Sequence, residues 1–204
     1  MNEEKLSKRD ITNGLHKRGG MTHDRETVRE ERELIRRAKG YDSSAFAEIY
    51  ERHYQGIYNY LYYRVSDARV AEDLASEVFL KALESIRSFS FRGIRLSSWL
   101  YRIAKNAVTD YYRLQPSQAD VPLKEGLIAA EGGPGEALEE GIAQKRLRRA
   151  LRGLTEEQRQ VIILKFIDGL DNTEVAQAMG KSEGAIKSLQ HRALAALGRI
   201  LSTD

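Results

Sequence analysis

Between Asn172 and Leu189 the chain reads NTEVAQAMGKSEGAIKSL, and this stretch decides the fold. Val175, Ala176 and Met179 recur at helical spacing, Gly180 breaks the run, and Ile186 and Leu189 resume it beyond Lys181 and Ser182. A small residue at Ala176 lets two helices cross closely, and glycine supplies the positive backbone angle of a tight turn. Ser182 is the natural cap of the second helix, worth about 1 kcal/mol where its oxygen accepts a backbone amide. The spacing predicts helices over 173–179 and 183–200, which is a helix-turn-helix. With Ile186 and Leu189 turned inward, the outer face shows Lys187, Ser188, Gln190, His191 and Arg192, donors suited to base edges and phosphates in a major groove. The competing reading is an ordinary helical hairpin with a solvated basic face. The surrounding segment 141–204, with 11 basic and 7 acidic side chains, favours nucleic acid.

Upstream of this motif, 138–152 reads as a helix closed by Gly153, and Thr155 with Gln158 has capping-box spacing for the next one. Gly169 followed by Leu170 matches a left-handed helix stop with its hydrophobic contact. Further back the character of the chain changes. Residues 116–140 hold all three prolines and carry 1 basic against 6 acidic side chains, a mixture that resists both helix and strand. All ten tyrosines, Trp99 and four of the five phenylalanines lie within 41–112. Two compositions on either side of an acidic Gly/Pro linker, 116–137, imply two helical domains with separate cores, 25–115 and 138–204.

The first domain also reads as all-α. Asp42, Ser43 and Ser44 are cap candidates for a helix over 43–63 with Phe46, Ile49, Tyr50, Ile57, Tyr58 and Leu61 on its apolar side. Asp67 can cap the next, whose stripe is Val70, Leu74, Val78, Leu83 and Ile86; Ser97 or Ser98 opens a third with Trp99, Ile103, Ala107, Val108 and Tyr111 on one side. Residues 1–24 are polar and aperiodic and are expected to be a disordered extension, whereas 25–39 forms a charged helix closed by Gly40.

Two of these helices have opposite electrostatics. From Asp67 to Glu84 there are five acids and two bases, a face for a basic protein partner or for water. From Arg87 to Arg113 there are six bases and one acid, Asp110, interleaved with six aromatics, as unstacked nucleic acid requires for phosphate neutralisation and base stacking. Trp99 and Tyr111 suit the core, and Tyr101, Arg102, Lys105 and Asn106 suit an exposed face.

The blocks Asp73-Leu74-Ala75-Ser76-Glu77-Val78-Phe79-Leu80-Lys81-Ala82, Ser98-Trp99-Leu100-Tyr101-Arg102-Ile103-Ala104-Lys105-Asn106 and Gly184 to Leu194, in this order, resemble the bacterial sigma factors of the extracytoplasmic-function group. The resemblance covers about 43–115 and 140–201 and implies regions 2 and 4 of such a factor, binding core RNA polymerase and two promoter elements. By that resemblance Asp73, Leu74, Ser76, Glu77 and Phe79 would dock on the polymerase clamp. Arg92, Ser98, Trp99, Tyr101, Arg102, Lys105, Asn106, Asp110 and Arg113 would engage the melted −10 element, where a base flipped from the stack enters a pocket. Thr173, Lys181, Ser182, Glu183, Ala185, Lys187, Ser188, Gln190, His191 and Arg192 would sit on the −35 duplex, with the other face of that domain on the polymerase flap. The linker resembles the segment that threads the polymerase channel. The family also implies an anti-sigma factor as a partner. Two positions depart from the family pattern: Ser76 replaces a frequent glutamine, and Leu189-Gln190 replaces an arginine-leucine pair.

Other functions find little support. The absence of cysteine excludes disulfides and thiolate chemistry. His16, His23, His53 and His191 lack metal-ligand spacing, no nucleophile-elbow motif is present, and Gly132-Gly133-Pro134-Gly135 lacks the Lys-Ser/Thr of a phosphate loop, so no enzyme, metal or cofactor is expected. No apolar run reaches membrane-spanning length, and a cytoplasmic location is expected. A stand-alone helix-turn-helix regulator is the alternative; it accounts for 140–201 and leaves the first domain without a role.

Overall fold

The computed structural model describes residues 20–91, 93–114 and 145–202, and the regular structure among them is helical with no strand. The expected linker, 116–137, the first nineteen residues of the expected extension, and Arg92 lie outside the described residues. Four helices come first: α1 (Gly20–Lys39), α2 (Ser43–Val65), α3 (Ala68–Ser85) and, after a 3₁₀ turn at Ile86–Ser88, α4 (Leu96–Leu114). Four more follow: α5 (145–152), α6 (Glu156–Ile162) continued by a π turn at Ile163–Ile167, α7 (Asn172–Met179) and α8 (Glu183–Leu201).

Local capping chemistry sets most of the boundaries. The Asp42 carboxylate accepts from the amides of Ser44 and Ala45, and Asp67 accepts from Val70. Thr155 and Gln158 form the expected capping box, and Ser182 caps α8 through the Ala185 amide. Gly180 (φ 68°) and Gly169 (φ 73°) adopt the left-handed conformation expected of them. Three ends differ from expectation. α1 begins at Gly20, so residues 20–24 are helical, and its left-handed exit residue is Tyr41 (φ 61°) rather than Gly40. α7 is capped by Asp171 with Glu174 in a second capping box. α4 starts at Leu96, whose amide is received by the Glu31 carboxylate of α1 at 2.8 Å, so neither Ser97 nor Ser98 serves as its cap.

The two halves do not keep separate cores. α2, α3 and α4 bury Ile49, Ile57, Leu61, Ala71, Ala75, Val78, Leu100 and Ala104; α6, α7 and α8 bury Val161, Ile163, Leu164, Val175, Ile186 and Ala193; and the buried side chains run on as one cluster. The seam forms where α4 lies against α7 and α2 against the π turn. Tyr60 and Tyr101 meet edge to face across its floor, centroids 5.5 Å apart, and Gly56 makes room there, since a Cβ on it would stand 2.6 Å from the Tyr101 hydroxyl. The packing also corrects the expected stripes. Tyr50 and Leu83 stay substantially exposed, because Ala45, Ala71, Ala75 and Ala82 let the helices approach closely enough for smaller residues to fill the interior.

Candidate nucleic-acid interface

In the helix-turn-helix, Val175, Ala176, Met179, Ile186, Leu189 and Ala193 are buried, as the apolar spacing requires. The opposite side of α8 exposes Ser182, Glu183, Ala185, Lys187, Ser188, His191 and Arg192, while Gln190 is half-buried. Part of this set already has intramolecular partners. Thr173 donates to Glu183 at 2.7 Å, Lys181 pairs with Glu157 at 2.7 Å, and the Ser182 hydroxyl holds the helix start. Glu157 is accordingly held below the usual carboxylate range, first by its hydrogen bond from Lys181. Lys187, His191 and Arg192 form the cationic and donor-bearing outer ridge one to two turns into the helix.

On α3, Asp73 and Ser76 are exposed and Glu77 is half-buried, pairing with Lys81 at 2.5 Å. Leu74 and Phe79 are buried instead, 6% and 4% exposed, because the face that carries them is the one turned toward α2; Phe79 packs on Tyr50 with ring centroids 4.7 Å apart. The apolar surface around the acidic ridge is supplied by Leu80, Leu83 and Tyr50, which sequence reasoning did not assign to the site. Spacing was the available signal, because Leu80 and Leu83 lie one turn apart beside Glu77 and Glu84.

The residues expected at the melted element divide differently from the sequence expectation. Asn106 and Arg113 are exposed, and Asp110 pairs with Arg113 at 3.1 Å. Lys105 is half-buried. Trp99, expected in the core, is half-buried and leans on Phe89 with centroids 4.8 Å apart; Tyr111 is also half-buried. Tyr101, expected outside, is 5% exposed, because α4 is covered on two sides, by α2 and α3 and again by α7. Ser98 is fully buried and its hydroxyl donates to the Glu174 carbonyl of α7 at 3.1 Å, while Arg102 Nε donates to the Gln177 carbonyl at 2.7 Å. Arg102 thereby satisfies a carbonyl in the last turn of α7, a position without a helical partner and at the negative end of the helix dipole.

The loop preceding α4 is held from two directions. α1 grips it through Lys39 on the Phe89 carbonyl at 2.5 Å, Arg32 over the Phe91 ring at 5.1 Å, and Glu31 on Arg95 at 3.2 Å. α7 grips it through the Gln177 amide, whose Nε2 donates to the Gly93 carbonyl at 2.5 Å and whose Oε1 accepts from the Arg95 amide at 3.0 Å.

Beneath the seam lie ionisable groups with displaced equilibria. Asp168, following the π turn, has both carboxylate oxygens out of water without a well-aligned hydrogen bond, and burial pushes its pKa up to about 7 against partial relief from Tyr101 and Asn59. Burial pushes Tyr101 well above the usual phenol range, with the Asp168 charge adding to the effect. Tyr60, which receives hydrogen bonds from Arg64 at 2.5 Å and Gln160 at 3.0 Å, is pushed up to about 12 by burial.

Comparison with known proteins places these interfaces in context. The family model for Sigma-70 region 2 matches residues 49–116, and that for Sigma-70, region 4, matches 144–197. The extracytoplasmic-function RNA polymerase sigma factor BldN of Streptomyces coelicolor is 38% identical over 174 residues, 84% of this chain and 66% of that protein. SigW of Bacillus subtilis is 32% identical over 177 residues, 82% of this chain and 94% of SigW. Among solved structures, the sigma factor RpoE of Bartonella quintana in complex with the anti-sigma factor NepR superposes with a TM-score of 0.63 at 25% identity, covering 78% of this chain and 98% of that one.

Proposed function

The chain belongs to the sigma-70 family as an extracytoplasmic-function sigma factor, and from that membership we propose how its surfaces divide the work of promoter recognition. The exposed ridge of α8, led by Lys187, His191 and Arg192, enters the major groove of the −35 duplex, with Ser188, Gln190 and Ala185 beside it. The loop before α4, with Trp99, Lys105, Asn106 and Arg113, receives the melted −10 strand, and Ser98, Tyr101 and Arg102 join once α7 has moved aside. The acidic ridge of Asp73, Ser76 and Glu77, rimmed by Leu80, Leu83 and Tyr50, docks on the polymerase clamp; Leu74 and Phe79 support that ridge from within.

One observation carries this reading above the others: α8 buries Ile186, Leu189 and Ala193 while leaving Lys187, Ser188, His191 and Arg192 exposed on a preformed helix. Preformed donors on a rigid element are what groove reading needs. A stand-alone helix-turn-helix regulator is not favoured, because the region 2 match over 49–116 would then serve nothing. An anti-sigma factor is the fitting regulator, since the RpoE relative was solved bound to one. The proposed place of work is the cytoplasm, and among the described residues no helix is long and apolar enough to cross a membrane.

The test mixes the purified chain with core RNA polymerase and a promoter library and sequences the transcript starts. A stable complex that initiates from one shared motif is expected. Failure to associate with core sinks the proposal.

A further inference from the structure

The exit of α1 is built on a residue that resists it. The Asp42 amide donates to the Arg37 carbonyl at 3.2 Å and the Tyr41 amide to the Ala38 carbonyl at 3.0 Å, the two bonds of a Schellman motif, with Tyr41 at its left-handed position (φ 61°). That position favours glycine, and a bulky side chain there is strained. Gly40 lies one residue earlier and does not take it. Burial does not account for the choice, because Tyr41 is 63% exposed. Strain held at an exposed position points to what the side chain meets.

The ring meets Arg87, whose guanidinium lies over it at 5.5 Å from the centroid. Arg87 belongs to the 3₁₀ turn, and α1 lies against that turn. Ile86 and Phe89 are buried and anchor the turn on either side, leaving Arg87 and Ser88 outside. Arg87 forms no ion pair with any described residue, and Asp42, the carboxylate next to Tyr41, is taken by Arg37 and by the first amides of α2. The pair borders the loop before α4. Lys39, two residues before Tyr41, holds the carbonyl of Phe89, two residues after Arg87, and the Phe89 ring carries Trp99.

An exposed aromatic ring backed by a guanidinium has the chemistry of a single-strand stacking platform: the ring stacks a base, and the cation strengthens the stack and neutralises the adjoining phosphate. We propose that Tyr41 and Arg87 hold one further nucleotide of the melted strand, its base on the free face of the Tyr41 ring and its phosphate on Arg87. The inference rests on the assignment of the neighbouring loop to the melted element. Tyr41 precedes the region 2 match at 49–116, so the platform couples a residue outside that match to one within it. Every base has a face that can stack, so the platform adds affinity for unpaired DNA and no base preference.

The experiment measures, by anisotropy, binding of a short fluorescent random-sequence single-stranded DNA pool to the full chain in complex with core polymerase, with core alone as the reference. Tyr41→Gly and Tyr41→Asn remove the ring and suit the left-handed backbone, so both are expected to melt no lower than the natural chain; Tyr41→Phe keeps the ring. Loss of the ring is expected to weaken strand binding by the complex about tenfold, while Tyr41→Phe binds as the natural chain does. Arg87→Ala is expected to reduce the log–log salt slope by about 0.7. An iodouracil-substituted pool is expected to photocrosslink to Tyr41 in the natural complex. Equal binding by all the Tyr41 chains while the complex outbinds core alone, or no crosslink at Tyr41, overturns the platform and leaves the promoter reading standing. A complex that binds strand no better than core alone overturns the promoter reading and the platform with it. Ring-less variants that associate poorly with core, yet bind strand normally once assembled, show the ring touching polymerase and also overturn the proposal.

Discussion

Arg64 of α2 reaches Glu156 of α6 at 2.5 Å, and the pair is lopsided: the arginine side chain is 4% exposed and the glutamate 56%. The guanidinium also donates to Tyr60 at 2.5 Å, while Nε has no partner. A buried cation with one carboxylate depends on that carboxylate more than the carboxylate depends on it. Replacing Glu156 with Gln leaves an uncompensated charge only partly, since water reaches the site from the glutamate side, and costs about 1 kcal/mol. Arg64→Ala also removes the Tyr60 bond and buried volume and costs about 3 kcal/mol. Chemical denaturation midpoints at a common slope check both values.

The packing of α7 and the π turn on α2 and α4 should respond to pH through Asp168. Its pKa is about 7 in the packed arrangement against 3.8 for a solvated carboxyl, so that arrangement binds a proton more tightly and loses stability as pH rises from about 4 through 7. The other titratable groups facing it, Tyr101 and Tyr63, are both pushed upward by burial and stay neutral over that range. His53 is pushed down to about 4, mainly by burial, and so is neutral over nearly all of that range. From pH 6 to 8 the ratio of separated to packed units should rise about tenfold, read by energy transfer between dyes on Ser88→Cys and Ser202→Cys, two exposed positions in a chain with no native cysteine. Asp168→Asn should abolish that slope.

On the −35 side, Lys187→Ala and Arg192→Ala should each weaken duplex binding and reduce the log–log salt slope by about 0.9 for each phosphate no longer neutralised. Ser188→Ala should leave the slope intact if its hydroxyl meets a base edge. Titrations at four salt concentrations separate the two behaviours.

The turn of the helix-turn-helix should be locally fragile. Gly180→Ala meets no neighbour within 4 Å, so its whole cost is the left-handed backbone at φ 68°, about 1 kcal/mol. Ser182→Ala removes the cap on the Ala185 amide and costs about 1 kcal/mol more. Thermal melts of the single and double variants test the values, and adjacency makes some non-additivity expected.

Glu31 tests the hold of α1 on the loop. Glu31→Gln keeps an acceptor for the Leu96 amide and loses the Arg95 charge pair; Glu31→Ala loses both. Hydrogen exchange at Leu96 should accelerate modestly in the first variant and about tenfold in the second, in proportion to the removal of one hydrogen bond of about 1.4 kcal/mol.

Helix starts and stops were legible because their chemistry is local. Asp42, Asp67, Thr155 with Gln158, and Ser182 each act within three residues of themselves, and Gly169 and Gly180 act on their own backbone. The face of α8 was legible too, since its apolar residues repeat at helical spacing. The seam was not, because it joins positions more than seventy residues apart, such as Ser98 with Glu174 and Arg102 with Gln177. That is also why Tyr101 was expected outside and is inside, and why Ser98 passed for a helix cap. Leu83 misled for a different reason: apolar spacing marks a stripe but does not say that neighbouring alanines already fill the interior.

The continuous core has a consequence for engineering by exchange. Sigma factors invite the making of hybrids, region 2 from one and region 4 from another, as though they were interchangeable parts. Here Tyr60 is bonded to Gln160, Arg64 is paired with Glu156, and Ser98 is bonded to Glu174. A foreign second half would arrive without those counterparts and leave a phenol and a guanidinium facing unsuited neighbours. Such a hybrid would keep the caps and outer faces of each unit and lose the contacts that join them.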